Sequence, residues 1–321
     1  MLKNPETLER LLSVPGLVVY QDIPLRRFTR FGIGGPASIV AETDSETAFT
    51  KAARVIRETG AASVVIGAGT NLVVSDGGFD GVVLRFTGRE LSAEGGRVRA
   101  GAGAELQALV DFTIERGRAG LETMTGIPGW VGAAVYGNAG AYGRSISEVV
   151  REVRYFDGSG RHAADNAACG FRYRESVFKR CKDRVIFSVE LELRPAPADE
   201  LRDRAAEIRQ VRDRKYPPEM RCAGSIFKNL LRDELPAAAV AQVPERAVRE
   251  GKVPAAWFLE QTGAKGLRRG DIQVADYHAN LIYNDGAGTA SDLRGLIEEL
   301  KRRVRERFGF ELEEEVQYVG F

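Results

Sequence analysis

The chain of 321 residues is long enough for two domains, and 44% hydrophobic content supports an ordinary buried core. Its 46 basic and 45 acidic residues leave a formal charge of +1, which argues against nucleic acid or an acidic membrane as partner. Three cysteines without CxxC spacing and only two histidines, His162 and His278, argue against a disulfide framework and a His-rich metal centre. The opening stretch MLKNPETLERLLSVPG is amphipathic and acidic and lacks the parts of a signal peptide, so a cytoplasmic protein is expected.

In chain order, the first helical pattern is DSETAFTKAARVIRETG. Ala48, Phe49, Ala52, Val55 and Ile56 share a face, Asp44 or Ser45 is the N-cap, and Gly60 is the stop. AELQALVDFTIERG repeats the design with Leu106, Leu109, Val110, Thr113 and Ile114. DELRDRAAEIRQVRDRKYPP follows, with Leu201, Ala205, Ile208 and Val211 inward and Pro217 as its end. PAAWFLEQTG is a short helix, and SDLRGLIEELKRRVRERFG a long one with a basic outer face. Strand-like runs lie at Ser38–Glu42, Ser63–Ile66, Val82–Phe86, Arg97–Ala100, Glu152–Phe156, Val185–Leu193, Ile272–Ala275 and Asn280–Tyr283. Helices and strands are mixed without strict alternation, which predicts an α+β fold. RPAPADE, Arg194 to Glu200, is the linker candidate, giving an N-terminal region at 1–198, split near 88, and a C-terminal domain at 199–321.

Three glycine-rich stretches stand out. TRFGIGGPAS runs from Thr29 to Ser38 and enters a strand. In VVIGAGTNLVVSD a β-branched run reaches Gly67, Ala68, Gly69, Thr70 and Asn71, but Leu72 stands where a dinucleotide fingerprint needs its third glycine, and a second strand-like run follows instead of a helix. An anion there would be held by successive main-chain N–H groups of a turn; an ordinary hairpin is the alternative. GIPGWVGAAVYGNAGAYG spans Gly126 to Gly143, and Thr123 through Gly143 is free of charge for 21 residues. Pro128 and six glycines with no leucine make it a poor membrane span. Three such stretches fit a long phosphate-containing cofactor, with glycine N–H groups brought to its diphosphate.

TRFGIGGPA, IGAGTNLVVSDGGFDGVVL, GIPGWVGAAVYGNAGAYG, FRYRESVFK, AGSIFKN and FELEEEVQYVG together resemble the motifs of the UDP-N-acetylenolpyruvoylglucosamine reductase (MurB) family. The resemblance covers about Leu25 to Phe321. It implies a vanillyl-alcohol-oxidase-type (PCMH-type) FAD-binding region of two α+β subdomains and a C-terminal α+β domain for the UDP-sugar. It also implies FAD with NADPH as co-substrate; neither His162 nor His278 lies in a glycine loop, so the FAD is expected to be non-covalent, and no metal and a monomer are expected. Arg30, Gly34 and Gly35, then Gly67 to Leu72, then Gly126, Ile127, Pro128, Gly129, Gly132, Ala133, Asn138 and Gly140 become the expected cofactor residues. Gly137 stands where the family often has methionine.

The implied reaction reduces an enol ether, with charge developing at C2 and in the adjoining carboxylate. Such a site needs donors at the carboxylate and a proton source at C2. By match to the motifs, Arg174 polarises the carboxylate, Ser225 gives the proton, and Glu315 is the catalytic glutamate among Glu313, Glu314 and Glu315. Tyr173, Lys215, Asn229, Lys265, Gln273, His278 and Asn280 are the expected substrate contacts. The short interval between Leu193 and Ser225 matches the shorter class, without the substrate-covering tyrosine loop. A different FAD oxidase or a non-catalytic nucleotide-binding module are the rival readings.

Overall fold

The computed structural model describes residues 5–321. Helices and separate sheets alternate irregularly along the chain, the α+β class expected. The chain divides into two compact units. One takes the chain up to Ile23, Ala37–Ala68 and Asp80–Arg214; the other takes Pro24–Pro36, Gly69–Phe79 and Lys215–Phe321.

The first unit is built around two larger sheets. One has the spatial order Val18–Pro24, Pro36–Thr43, Phe79–Phe86, Ser63–Val65. The other runs Arg161–Asp165, Val150–Phe156, Val185–Glu192, Arg97–Gly101, Leu91–Glu94. The chain leaves the first sheet at Phe86 and enters the second at Leu91, the region where a subdivision is expected. Phe49, Phe86 and Phe187 meet in one aromatic cluster with centroids 4.7 to 6.1 Å apart, so a single core serves both sheets.

Local chemistry sets the helices. Glu46–Thr59 is capped by Ser45, whose side chain accepts from the Ala48 N–H, and ends at Gly60 in the left-handed conformation. Leu106–Glu115 buries all five of its predicted inward residues. Ala198–Lys215 departs from expectation: Leu201 and Ala205 are buried, but Val211 is exposed. Its charge density leaves too few apolar positions to extend the buried stripe beyond two turns.

That helix also moves the boundary. RPAPADE does not separate the units, because Arg194–Pro195 pairs with Arg118–Ala119 and Arg204 sits 3.9 Å from Glu122. The helix stays with the first unit as far as Arg214, and two N-terminal segments join the second unit. A contiguous split at 198/199 is therefore replaced by a discontinuous one.

The second unit has a sheet ordered Cys222–Ser225, His278–Asn284, Ile272–Ala275, Arg268–Arg269. Helix Ala290–Phe308 packs Leu293, Leu296, Ile297, Leu300, Val304 and Phe308 into its core, and Thr289 with Asp292 forms a capping box at its start. The strand-like run after the second glycine loop, Leu72–Val74, belongs to this unit. It pairs in parallel with Gln317–Val319, far away in sequence. Ser63–Val65, on the other side of the loop, pairs in parallel with the strand Phe79–Phe86. The two runs flanking the loop are thus not a hairpin.

Candidate active site

Gly69 explains the composition of the second glycine loop. It is buried with φ at +69°, and a Cβ there would lie 1.6 Å from the Phe28 carbonyl oxygen. Only glycine meets both demands. The Gly69 carbonyl accepts from the Arg30 N–H at 3.3 Å. Among the described residues, the N–H groups of Gly67, Ala68 and Gly69 donate to no protein acceptor. Gly69 is buried and buried main-chain donors are nearly always paired, so its N–H, following those of half-buried Gly67 and Ala68, suits a diphosphate. The loop therefore fits FAD.

Asn71 closes the loop onto the C-terminus. Its Nδ2 donates to the Glu315 carbonyl at 2.9 Å, and its own carbonyl accepts from Gln317 N at 2.9 Å. Thr70 lies between Gly69 and Asn71, and Leu72 begins the parallel strand. In the first glycine stretch, Gly34 and Gly35 accept from the N–H groups of Arg26 and Leu25, and Gly35 donates to Ser75. The Arg30 guanidinium lies 3.4 Å from the carbonyls of Pro218 and Met220, so it braces the segment leading to Ser225.

The third stretch is closely packed within the first unit. Gly132 donates to the Ala102 carbonyl, and a Cβ on it would come within 2.8 Å of the Ala102 Cβ and 3.1 Å of that oxygen. Ile127, Val131, Gly137 and Asn138 also donate to protein carbonyls, Gly126 donates to the Gln107 side chain, and the Gly129 carbonyl accepts from Leu106. These glycines allow close packing of a short helix, Val131–Tyr136, on the core.

Arg174 sits in a tight turn closed by reciprocal Arg172–Glu175 main-chain bonds, with φ at +56°. A left-handed arginine is strained, and such strain clusters at functional sites. Its guanidinium donates to the Gly140 carbonyl at 3.0 Å and approaches that of Asn138 at 3.5 Å, and lies 5.3 Å from the Tyr173 ring. Asn138, also left-handed, donates to the Arg172 carbonyl and accepts from Ser147 N. Lys179 supports the turn from below: its Nζ donates to the Arg174 carbonyl and to Glu175, both at 2.9 Å. The predicted cofactor stretch and the predicted carboxylate-binding arginine are thus one interlocked structure.

In the second unit, Ser225 ends a strand whose register against His278–Asn284 shifts between Cys222 and Ser225. Such a bulge re-aims a side chain. The next residue, Ile226, accepts from Glu315 N at 2.7 Å, and Phe227 bridges Glu314. Glu313 pairs with Lys228, and Glu314 pairs with Lys301 at 3.1 Å and takes the Tyr318 hydroxyl. Buried Asn280 uses both ends of its amide on Phe227, at 2.9 Å each. Its side chain fixes the strand beside Ser225. Asn229 accepts from Ala255 N at 3.3 Å, at the start of helix Ala255–Gln261.

Lys215 ends its helix, and its carbonyl accepts from the Tyr277 hydroxyl at 3.0 Å. Lys265 pairs with Glu260 at 3.0 Å, and Gln273 lies in the sheet opposite Tyr283. The His278 Nδ1 is shut off from solvent without a hydrogen-bond partner among the described residues. Burial, then the charges of Lys215 and Lys265, push its pKa down to about 4. Sequence reasoning missed Tyr216, whose hydroxyl lies 3.4 Å from Ser225 Oγ. It follows the helix in an irregular segment, where no periodicity marks it. No metal-holding group of His, Cys, Asp and Glu occurs among the described residues, and no helix there is long and apolar enough to cross a membrane.

Comparison with known proteins matches both halves. Residues 37–164 match the FAD binding domain family, and residues 216–319 match the UDP-N-acetylenolpyruvoylglucosamine reductase, C-terminal domain. The chain is 62% identical to the UDP-N-acetylenolpyruvoylglucosamine reductase of Solibacter usitatus, over 97% of this chain and 100% of that protein. It is 38% identical to that of Rubrobacter xylanophilus, over 98% of each. It resembles the crystal structure of MurB from Thermus caldophilus with a TM-score of 0.74 at 31% identity, covering 95% of this chain and 100% of that one. Fold and matches together define an FAD-dependent oxidoreductase. The chain belongs to the UDP-N-acetylenolpyruvoylglucosamine reductase (MurB) family, the UDP-N-acetylmuramate dehydrogenases.

Proposed function

We propose that the protein reduces UDP-N-acetylglucosamine enolpyruvate to UDP-N-acetylmuramate, with NADPH as electron source, as a cytoplasmic monomer in peptidoglycan precursor synthesis. FAD, which the Gly67–Leu72 loop would help to hold, would supply the redox chemistry that links NADPH to C3 of the enolpyruvyl group. Arg174 receives the substrate carboxylate, where a fixed guanidinium stabilises the charge spreading from C2. Ser225 gives the proton to C2. Glu315 assists in stabilising the enolate, and Lys215, with Tyr173, Asn229, Lys265, Gln273 and His278, contributes to holding the UDP-sugar. Asn280 acts through the strand it locks.

The observation that carries this reading is the main-chain bond from Glu315 N to Ile226 O, 2.7 Å, beside Ser225. It joins Glu315 to the residue that follows Ser225, and Asn71 ties the same glutamate to the loop that suits a diphosphate. The test is Ser225→Ala in anaerobic half-reactions. Flavin reduction by NADPH should persist, while reoxidation by the enolpyruvyl sugar should fall by about 10²-fold or more, the usual worth of a positioned acid. Unchanged reoxidation contradicts the assignment.

A further inference from the structure

We propose that Tyr216 is a proton relay to Ser225, an inference that rests on the reading of Ser225 as proton donor. An aliphatic hydroxyl is a weak acid, and when Ser225 gives its proton to C2 an alkoxide is left in a half-buried site. A neighbouring acid that protonates the serine as the serine protonates carbon removes that cost. Tyr216 is such an acid. Its hydroxyl lies 3.4 Å from Ser225 Oγ, and a phenol, with an ordinary pKa near 10, is far more acidic than an alcohol. The separation is longer than a tight O–H···O bond, and catalytic hydrogen bonds commonly close only once substrate is bound.

The surroundings hold the phenol there by independent contacts. Tyr216 and Met220 pack against a small buried cluster of Cys222, Ala275 and Leu281. The preceding residue is fixed through its carbonyl by the Tyr277 hydroxyl at 3.0 Å, and Pro217 and Pro218 stiffen the chain that follows. The Lys215 ammonium lies 5.0 Å from the centre of the Tyr216 ring, a further contact that holds the ring. The step balances. The O–H bond of Ser225 breaks as C2–H forms, the O–H bond of Tyr216 breaks as that of Ser225 re-forms, and the phenolate then takes a proton from solvent.

The test is Tyr216→Phe, which keeps the ring and removes the hydroxyl. FAD content and flavin reduction by NADPH should match the unaltered enzyme, while reoxidation by the enolpyruvyl sugar should slow by about 10-fold to 10²-fold. The distinguishing readout is a proton inventory of that half-reaction in mixtures of H2O and D2O. It should be bowed in the unaltered enzyme, with two protons in flight, and linear in Tyr216→Phe. Replacing Tyr216 by a fluorinated tyrosine keeps the packing, lowers the phenol pKa and should move the alkaline limb of the rate profile to lower pH. Should Tyr216→Phe lose FAD, this second variant decides. Unchanged reoxidation in Tyr216→Phe, or slowing with an unaltered proton inventory, overturns the relay. If Ser225→Ala also leaves reoxidation intact, the failure lies in the underlying assignment of Ser225 instead.

Discussion

His278 gives the protein a pH dependence that can be worked out from its surroundings. Its Nδ1 is sealed from solvent, and Lys215 and Lys265 add positive charge, so protonation is disfavoured in the folded state and the pKa falls from 6.5 to about 4. In the unfolded chain it stays near 6.5. Above 6.5 both states are neutral at this residue and it adds no pH dependence. As pH falls below 6.5 the unfolded state binds a proton that the folded state does not, so stability declines until the pH passes about 4. At about 1.36 kcal/mol per pH unit the full loss is about 3 kcal/mol, and near pH 5 it is about 2 kcal/mol. His278→Gln removes the titration. Urea unfolding of both proteins, saturated with FAD, between pH 4.5 and 7.5 isolates the effect, because every other group cancels in the difference. The stability of the unaltered protein minus that of His278→Gln should fall by about 2–3 kcal/mol between pH 7.5 and 4.5. A gap constant across that range refutes the reasoning.

Other consequences follow from single contacts. Gly132→Val should destabilise the first unit by roughly 1–3 kcal/mol through overpacking on Ala102, lowering the melting temperature even when FAD is saturating; a change confined to FAD affinity would assign the glycine to the cofactor instead. Asn280→Ala strands the Phe227 N–H and carbonyl in a buried site and should cost about 2–5 kcal/mol in denaturant titration. A variant of full stability with weakened sugar binding would instead make the residue a direct contact. Lys179→Met removes the donor that holds the left-handed Arg174, so KM for the enolpyruvyl sugar should rise several-fold while flavin reduction by NADPH is kept. An unchanged KM argues against that support.

The sequence was most legible where a local rule acts alone. Leu106 to Ile114 reads as a buried helix face because 3.6-residue periodicity needs no distant partner, and Ser45 and Gly60 announce a helix through caps. The six motifs carried the family and the cofactor. Long-range pairing was not legible. Nothing in LVVSD says that Leu72–Val74 takes a parallel partner at Gln317–Val319, a pairing that lies within the discontinuous second unit. Glycine composition alone also does not separate close packing from ligand approach. Gly132 and Gly69 look alike in sequence, yet one rests on Ala102 and the other turns in the left-handed region beside unpaired N–H groups. Asn280 matched a substrate position, but its amide faces Phe227, a contact set by the fold of the sheet.

The most direct measurement is an anaerobic titration of the purified FAD-loaded protein. NADPH should bleach the flavin absorbance in the absence of sugar, and adding UDP-N-acetylglucosamine enolpyruvate should restore it with formation of one equivalent of UDP-N-acetylmuramate. A flavin that NADPH reduces but the enolpyruvyl sugar leaves reduced would contradict the account.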